Sequence, residues 1–340
     1  MAAAAVLPAH PNTFDIAGAQ RPAVVDEPAL DDGGVADERV ALVGQRVHAA
    51  ERVLPIGVGQ LAVEDLVEQG AGGGEGGVVE VGGVRDPYHA RDASVPAMKR
   101  AIFIAPFDEL SEPARVAELA RRAERRGWDG FFLWDHIDYR PPVSALADPW
   151  ITMAAIAAHT ERLITGPLVT PLARRRPHQL ARETVTLDRL SGGRLVLGVG
   201  AGSDRSGEFD PARFGEAGEL RARAKLLDDG LAKLQAYWAG EFEPRPVNGT
   251  IPIWVAARWP FKRGPLERAR RHDGVFPIDQ GGPEALAEVI AAVGPGKEIV
   301  VTNPAGTDPT PWAEAGATWC LTGFGAQPTF DEVAGAIDAL

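Results

Sequence analysis

From residue 99 to the end of the chain, short apolar runs alternate with longer stretches whose apolar positions recur every three or four residues. The run Trp128–His136 is apolar at its centre, which is typical of a strand buried on both faces of a parallel sheet. Val116, Leu119 and Ala123 share one face of a helix, and Gly127 follows it as a C-terminal glycine. A helix is expected after each strand. The predicted strands are Lys99–Phe107, Trp128–His136, Leu163–Thr170, Arg194–Val199, Ile251–Ala256, Gly274–Pro277, Glu298–Thr302 and Ala317–Thr322.

Residues 98–340 therefore contain eight β/α units in 243 residues. This count and this length predict an α/β protein of the (β/α)8 TIM-barrel class. A doubly wound open sheet is the alternative that the same alternation allows. Catalytic groups of a barrel lie at the carboxyl ends of its strands, so the residues that follow each strand are the candidates for chemistry.

Residues 1–97 differ in composition from the rest of the chain. They hold 15 acidic and 6 basic residues and no tryptophan, whereas all eight tryptophans lie after residue 127. Six of the eight residues from Gly70 to Gly77 are glycine, which loses too much backbone entropy to settle in a helix or a packed strand. We expect an unstructured segment without a domain, either a disordered extension or the product of a start codon placed upstream of Met98. A domain of unrecognised pattern is the remaining alternative.

Cysteine content, charge and hydropathy restrict which partners the protein can bind and in which compartment it is expected. The single cysteine, Cys320, excludes an internal disulfide and fits a reducing compartment. No apolar run approaches the roughly 18 residues of a membrane span, and the N-terminus lacks a basic region followed by an apolar run. The net charge of −12 argues against nucleic acid as a partner. These features predict a cytoplasmic protein that binds neither membrane nor nucleic acid.

Asp135 and His136 end the predicted second strand. A histidine at this place can move protons near neutral pH or hydrogen-bond a cofactor ring, and Asp135 can fix its tautomer or cap the next turn. A structural histidine in a loop is the alternative. We name His136 as the candidate catalytic residue. No pair of histidines has metal-ligand spacing with a carboxylate, so no metal site is predicted.

The glycine-rich segment Gly198–Gly202 ends the fourth strand. Glycines allow a ligand to approach the backbone, and exposed N–H groups suit an anion. The segment lacks the third glycine of a dinucleotide-binding signature, and a tight loop that leaves a strand is the alternative. Pro167 lies inside the third strand without a backbone N–H to donate, which predicts a bulge there.

Two groups of basic residues follow strands. Arg258, Lys262 and Arg263 come after the fifth strand, before a helix predicted to begin near Pro265. A helix N-terminus beside cationic side chains is a phosphate site, although a solvated turn is the alternative. The run Arg174–Arg176 follows the third strand, and for it we favour the solvated interpretation over an acidic ligand.

In this order, these residues resemble the luciferase-like monooxygenase superfamily. The likeness covers essentially all of residues 98–340 and is most specific from Thr160 to Gly202. No part of residues 1–97 shares it. The segments that carry the resemblance are Ala120–His136, Asp148–Trp150, Thr160–Leu163, Pro171–Pro177, Leu187–Arg194, Leu197–Gly202, Ile251–Ala257 and Asp273–Pro277.

The resemblance implies a barrel that holds FMN or the deazaflavin coenzyme F420 across its mouth, with His136 facing the ring. It implies a non-proline cis peptide at Pro167–Leu168, which supports the ring. It also implies that the glycine-rich loop and the end of the fifth strand lie along the tail and phosphate of the coenzyme. The residues expected to bind the coenzyme are Asp135, Pro167, Leu168, Gly200, Ala201, Gly202, Ala256, Ala257 and Arg258.

The expected function is a flavin- or deazaflavin-dependent oxidoreductase that acts on a small organic substrate by hydride transfer or monooxygenation. Some sugar-oxidising members of the superfamily have an acidic residue just after the glycine loop, where this chain has Ser203, so we do not extend sugar oxidation to it. The chain is short before its fifth strand, and the pocket is then either open or closed by a partner subunit in a homodimer. A barrel hydrolase or isomerase of a phosphorylated substrate and a non-catalytic coenzyme-binding protein remain alternatives.

Overall fold

A computed structural model describes residues 98–203 and 207–339, and its strands form a parallel barrel. The predicted (β/α)8 class is confirmed. Neighbours around the sheet are neighbours along the chain, in the order β3-β2-β1-β9-β8-β7-β6-β5-β4, so the open doubly wound sheet is wrong. The strands are β1 (Lys99–Ile104), β2 (Gly130–Leu133), β3 (Ile164–Pro167), β4 (Thr170–Pro171), β5 (Leu197–Gly200), β6 (Ile253–Arg258), β7 (Gly274–Ile278), β8 (Glu298–Pro304) and β9 (Trp319–Gly323).

The third strand of the sequence prediction is divided into β3 and β4. β3 pairs with β2, whereas β4 pairs with β5, so the strand changes its partner part-way along. The N–H of Thr165 donates to the carbonyl of Arg194 (3.0 Å), and the N–H of Val196 donates to the carbonyl of Thr165 (2.9 Å). These two bonds join β3 to the chain that enters β5. The bulge expected at Pro167 stays a prediction: Pro167 is paired in register with Leu133, and the break in the strand comes after it.

The strands are buried on both sides because successive side chains point alternately into the barrel and towards the helices. On β1, Phe103 belongs to the interior cluster, whereas Ile102 and Ile104 belong to the layer beneath the helices. Two tryptophans fill the interior with their rings 5.3 Å apart, Trp254 of β6 and Trp319 of β9. This two-sided burial explains why the strands are continuous apolar runs.

The helices cover the outside of the barrel. Asp148 caps the second of them by accepting hydrogen bonds from the N–H groups of Trp150 and Ile151, and Gly192, with φ at 69°, ends the third in the left-handed conformation. The helices are α1 (Pro113–Arg125), α2 (Pro149–His159), α3 (Pro177–Ser191), α4 (Pro211–Phe214), α5 (Leu220–Ala236), α6 (Arg263–Arg271), α7 (Leu286–Val293), α8 (Thr310–Glu314) and α9 (Phe330–Asp338).

The prediction for residues 1–97 lies outside the described residues. Within the described part, no helix combines the length and the apolar character that crossing a bilayer requires.

Candidate functional site

An aromatic cluster occupies the carboxyl end of the barrel beside β1 and β2. The ring of His136 lies 5.9 Å from that of Phe107, 5.8 Å from that of Trp134 and 5.1 Å from that of Tyr139, between centroids. Trp134 also lies 6.0 Å from Phe103 of the barrel interior. His136 therefore leaves the second strand among apolar rings, at the carboxyl end of the barrel, where catalytic groups of this fold lie.

The indole N–H of Trp134 has no acceptor. Its Nε1 atom is buried, and no hydrogen-bond partner lies within reach among the described residues. A buried donor without a partner costs about 1–3 kcal/mol, so it is either a penalty in the free protein or a contact kept for a ligand.

Glu208 holds the ring of His136. Its Oε2 atom lies 2.7 Å from Nδ1 of His136, and its Oε1 atom accepts the N–H of Ile137 at 2.6 Å. The carboxylate is 1% exposed, whereas the imidazole is 21% exposed. Nδ1 is therefore the ring nitrogen that the carboxylate holds, and the tautomer of the ring decides which of the two atoms donates.

Asp135 lies in a buried network of its own. Its Oδ2 atom accepts the hydroxyl of Thr170 (2.7 Å) and the indole N–H of Trp150 (3.2 Å). Arg175 donates to both carboxylate oxygens at 2.9 and 3.1 Å. Arg174 donates to the carboxylate at 3.3 Å and to the backbone carbonyl of Asp135 at 2.8 Å.

This network corrects two expectations. Asp135 is not the partner of the His136 ring: the carboxylate at that ring belongs to Glu208, and the Asp135 carboxylate is bonded to partners on β4, α2 and the loop after β4. The solvated interpretation is wrong for Arg174 and Arg175, whose side chains are 2% and 18% exposed in ion pairs. It holds for Arg176, which is exposed. A cation is buried here because a buried carboxylate needs one.

Arg174 connects this network to Glu208. Its Nη1 atom lies 3.4 Å from Oε1 of Glu208, and its guanidinium lies 5.9 Å from the ring of Phe209. One buried arginine thus contacts both carboxylates: that of Asp135, the residue before the histidine, and that of Glu208, 72 positions after the histidine.

Asp108 ties the loop after β2 to the end of β1. Its Oδ1 atom accepts the N–H and the hydroxyl of Ser144 (both 2.8 Å) and the N–H of Ala145 (3.0 Å), and Gln327 donates to Oδ2 at 2.6 Å. Partial burial raises the pKa of Asp108, but these hydrogen bonds to Ser144, Gln327 and Ala145 together lower it from 3.8 to about 2. The loop that carries Tyr139 is therefore fastened by a charged group.

The glycines of Gly198–Gly202 are required by the packing of the protein itself. A Cβ on Gly198 would lie 2.2 Å from the carbonyl oxygen of Pro167, and one on Gly202, where φ is +79°, would lie 2.2 Å from the ring of Phe209. A Cβ on Gly200 would lie 2.8 Å from Cγ2 of Val169. The structural interpretation of the loop therefore accounts for these glycines, and contact of Gly200, Ala201 and Gly202 with a coenzyme remains a prediction.

The cis peptide bond lies one residue later than expected. It joins Leu168 to Val169 and not Pro167 to Leu168. The N–H of Leu168 still donates to the carbonyl of Leu133 at 2.8 Å, so the pairing with the second strand extends through Leu168 before the chain turns towards β5. Pro167 and Leu168 thus lie at the junction of β3 and β4, and the side chain of Leu168 is in the interior cluster.

The end of β6 presents Ala256, Ala257 and Arg258. Arg258 is 55% exposed and forms an ion pair with Asp279, which follows β7 with a φ of +59°. The helix expected near Pro265 begins at Arg263. Arg258 therefore lies at the mouth in an exposed ion pair, where a stronger anion can compete for it.

The described residues offer neither a reactive cysteine nor a metal site. Cys320 is buried in β9, and burial raises the pKa of its thiol to about 11, so the thiolate nucleophile is disfavoured. No cluster of three His, Cys, Asp or Glu side chains among residues 98–203 and 207–339 has the arrangement of a metal site.

Sequence reasoning missed Glu208, Tyr139, Phe107 and Thr170. Glu208 is 72 positions away from the histidine it contacts, and no spacing rule connects the two. The one signal was that an acidic residue, followed by an aromatic one, stands a few positions after the glycine-rich loop.

A family model for luciferase-like monooxygenases matches residues 97–306 of the chain. The chain belongs to this family. Among curated proteins, this luciferase-like chain is 33% identical over 171 residues to an F420-dependent glucose-6-phosphate dehydrogenase of Nakamurella multipartita, covering 44% of the chain and 48% of the relative. It is 29% identical over 217 residues to an enzyme of the same name from Mycolicibacterium fortuitum, covering 57% and 62%. The chain spans about half the length of the curated relatives that it matches.

Solved structures of two luciferase-like proteins share its fold. An F420-dependent secondary alcohol dehydrogenase in complex with an F420-acetone adduct superposes with a TM-score of 0.59 at 16% identity, over 72% of this chain and 98% of that one. The monooxygenase RslO1 from Streptomyces bottropensis gives a TM-score of 0.55 at 20% identity, over 71% and 97%. At these identities the likeness shows the fold alone.

Proposed function

We propose that this luciferase-like chain is an oxidoreductase that binds a flavin or deazaflavin coenzyme at the carboxyl end of its barrel and acts on a small organic molecule. The observation that carries the proposal is the placement of His136. It ends β2 at the end of the barrel used for chemistry, contacts three aromatic rings, and has one ring nitrogen held by a buried carboxylate.

The residues present fit a flavin-type ring. The buried Nε1 of Trp134 is a donor in need of an acceptor, and the carbonyl groups and ring nitrogens of such a coenzyme are acceptors. The aromatic cluster offers flat apolar surface for a flat ring. The residues that would hold the coenzyme are the predicted ones, Asp135 through its backbone, Pro167, Leu168, Gly200, Ala201, Gly202, Ala256, Ala257 and Arg258, together with Trp134.

When bound, the coenzyme supplies the hydride or oxygenation chemistry, which no side chain of the protein offers. The protein holds the reactants, excludes water and places a proton. Phe107, Trp134 and Tyr139 exclude water from the neighbourhood of His136. Because Nδ1 of His136 is held by Glu208, Nε2 is the atom that gives or takes a proton.

The deazaflavin coenzyme is our first choice. The named curated relatives are F420-dependent, and Lys262 is exposed after β6 beside Arg258 and Arg263. These two arginines form exposed ion pairs with Asp279 and Glu267, for which an acidic tail can compete. Arg174 and Arg175 are not available to the tail, since both are taken up by Asp135. FMN remains the second candidate because RslO1, a monooxygenase, shares the fold.

We do not extend glucose 6-phosphate as a substrate to this chain. Ser203 follows the glycine loop, and Asp204, next to it, lies outside the described residues. The first acidic side chain after it that the structure describes, Glu208, is buried on His136. The surface around His136 is aromatic and apolar. It suits a small uncharged organic substrate better than a sugar phosphate.

A fluorescence titration of the full chain with each coenzyme in turn tests the proposal. We expect saturable binding of the deazaflavin coenzyme in the micromolar range and weaker binding of FMN. The variant Arg258→Gln should weaken binding of the tailed coenzyme, whereas Arg176→Gln, a matched control at an exposed arginine before α3, should not. Absence of binding to both coenzymes by folded protein would overturn the proposal and favour the hydrolase or isomerase alternative.

We further propose a homodimer through the outer face of α2. Ile151 is 66% exposed there, and Pro149–His159 contains no Asp, Glu, Lys or Arg. A helix without charged side chains can be buried against a second copy of the chain without desolvating a charge. Sedimentation should show a dimer that Ile151→Glu converts to a monomer, whereas Leu226→Glu on α5, also exposed, should leave the dimer intact. A monomeric wild-type chain would contradict this.

A further inference from the structure

We propose that Glu208 is a positioning residue: it selects the Nδ1–H tautomer of His136 and orients the ring so that Nε2 handles the proton. The inference deepens the proposed function, on which it rests for the role of His136. It gives Glu208, in the segment after the glycine loop, a role in proton transfer that the sequence alone does not indicate.

The carboxylate of Glu208 is itself fixed from three directions. Oε1 accepts the backbone N–H of Ile137 at 2.6 Å, and Nη1 of Arg174 lies 3.4 Å from the same oxygen. Oε2 is then directed at Nδ1 of His136 at 2.7 Å. At 1% exposure the carboxylate exchanges none of these partners for water. A buried acceptor held in this way imposes a tautomer more strongly than an exposed one.

The other ring nitrogen is left for the reaction. No described residue forms a hydrogen bond to Nε2 of His136, and the ring is 21% exposed. Proton transfer by an imidazole requires that one nitrogen be held and the other be presented to the reactant. Glu208 holds Nδ1, so the site has the arrangement that this division of roles requires.

Glu208 acts through the histidine and not on a substrate. A carboxylate that binds a substrate directly needs a free oxygen in the pocket. Both oxygens of Glu208 already accept bonds from the residue pair His136 and Ile137. The acid of this segment therefore differs in role from the acid that sugar-oxidising members place after the glycine loop.

The segment around Glu208 contacts the loop after β2, α5 and the loop after β4 at further points. Arg213, on α4, forms an ion pair with Asp138. The ring of Phe209 lies 4.3 Å below the guanidinium of Arg223 and 5.9 Å from that of Arg174. Docking of this segment onto the barrel brings the carboxylate to the histidine, so the orientation of His136 depends on a part of the chain about seventy residues away.

Nitrogen NMR of the full chain, labelled with ¹⁵N in the histidine rings, tests the proposal without coenzyme or substrate. His136→Gln identifies the His136 signals among those of the seven histidines. In the neutral ring of the wild type, we expect the protonated-type resonance on Nδ1 and the unprotonated type on Nε2. The isosteric variant Glu208→Gln removes the charge, and its amide can accept from or donate to Nδ1, so we expect a mixture of tautomers.

Glu183→Gln is the matched control, because Glu183 contacts Arg175 at 3.8 Å and not His136. It should leave the Nδ1–H tautomer unchanged. Once a turnover assay exists, Glu208→Gln should lower kcat by about 10-fold or more with KM little changed, and Glu183→Gln should lower neither.

An Nε2–H tautomer in the wild type, or an unchanged Nδ1–H tautomer in folded Glu208→Gln, would overturn the proposal. If that variant does not fold, the wild-type spectrum alone decides. The outcome is separate from that of the coenzyme titration. A chain that shows the Nδ1–H tautomer but binds no coenzyme would leave Glu208 in its positioning role and refute the oxidoreductase.

Discussion

Arg174 donates to the backbone carbonyl and to the carboxylate of Asp135, at 2.8 and 3.3 Å, with its side chain only 2% exposed. The contact anchors the residue directly before His136 to the loop after β4. The backbone next to the candidate catalytic histidine is thereby fixed by an ion pair between the segments that follow β2 and β4.

Removal of the Asp135 carboxylate is expected to destabilise the fold. Asp135→Ala leaves Arg174 and Arg175 buried without their carboxylate, and a broken buried pair costs about 3–5 kcal/mol. The free energy of unfolding in urea measures the change. Asp229→Asn, which removes an exposed pair with Lys225, should cost less than about 1 kcal/mol. Equal effects of the two variants would contradict the buried network.

Trp134→Phe is expected to weaken coenzyme or substrate binding more than it weakens the fold. The change removes a buried N–H that has no described partner and keeps most of the aromatic ring. Trp254→Phe is the matched control, because its Nε1 is also buried without a partner but lies inside the barrel, at the register of Gly274. Loss of one ligand hydrogen bond corresponds to roughly 0.5–1.5 kcal/mol, or a 2- to 10-fold weaker affinity. Titration of the coenzyme against both variants should show this loss for Trp134→Phe alone.

Gly198→Ala is expected to destabilise the barrel by about 1–3 kcal/mol or more. The new Cβ would meet the backbone oxygen of Pro167 at 2.2 Å, and a backbone atom cannot move away as a side chain does. Gly264→Ala, on α6, has nothing within 4 Å of its new Cβ and should be neutral or stabilising by up to about 1 kcal/mol. Thermal unfolding of both variants checks the contrast, and a stable Gly198→Ala protein would refute the close approach of β3 and β5.

The contribution of Asp108 to stability is expected to depend on pH in the acid range. Its pKa in the folded protein is about 2, below the ordinary 3.8, so the ionised carboxylate stabilises the fold fully above about pH 4. This stabilisation is lost as the pH falls through 2. Asp108→Asn keeps the backbone, since asparagine also tolerates the φ of 46°, but loses the charge.

Unfolding of wild type and Asp108→Asn at pH 7, 4 and 2.5 should show the variant about 1 kcal/mol less stable at pH 7, because hydrogen bonds to a charged acceptor are the stronger ones. The difference should shrink by pH 2.5. A difference that stays constant with pH would mean that the ionised form of Asp108 is not what fastens the loop.

The fold could be predicted from the sequence because each β/α unit is encoded by the pattern of apolar residues within one short stretch of chain. The apolar runs located the strands, and Gly192 and Asp148 mark helix ends that the structure has. Strand ends were less accurate. The run Trp128–His136 is paired in register only over Gly130–Leu133. Beyond it, the N–H of Trp134 still donates to the carbonyl of Ile104, the last residue of β1, at 3.0 Å.

The site was accessible only in part. The placement of His136 at the end of β2 followed from the barrel rule, but its partner did not. Asp135 was the expected partner because it is adjacent in sequence, yet consecutive residues at the end of a strand point in opposite directions. Its carboxylate accordingly binds Arg175 and Thr170 while the ring of His136 meets Glu208. No fixed separation along a single sequence identifies such long-range pairs.

The change of partner between β3 and β4 is the place where the barrel closes. Elsewhere the wall is a continuous ribbon of paired strands, whereas here two short segments meet the next strand through a few backbone bonds, among them those of Thr165. The third strand of the sequence prediction therefore contributes to the wall twice: β3 bonds to β2 and to the chain that enters β5, and β4 pairs with β5 itself. One strand of the sequence thus joins the two ends of the ribbon, and the barrel is closed by a change of pairing and not by an additional strand.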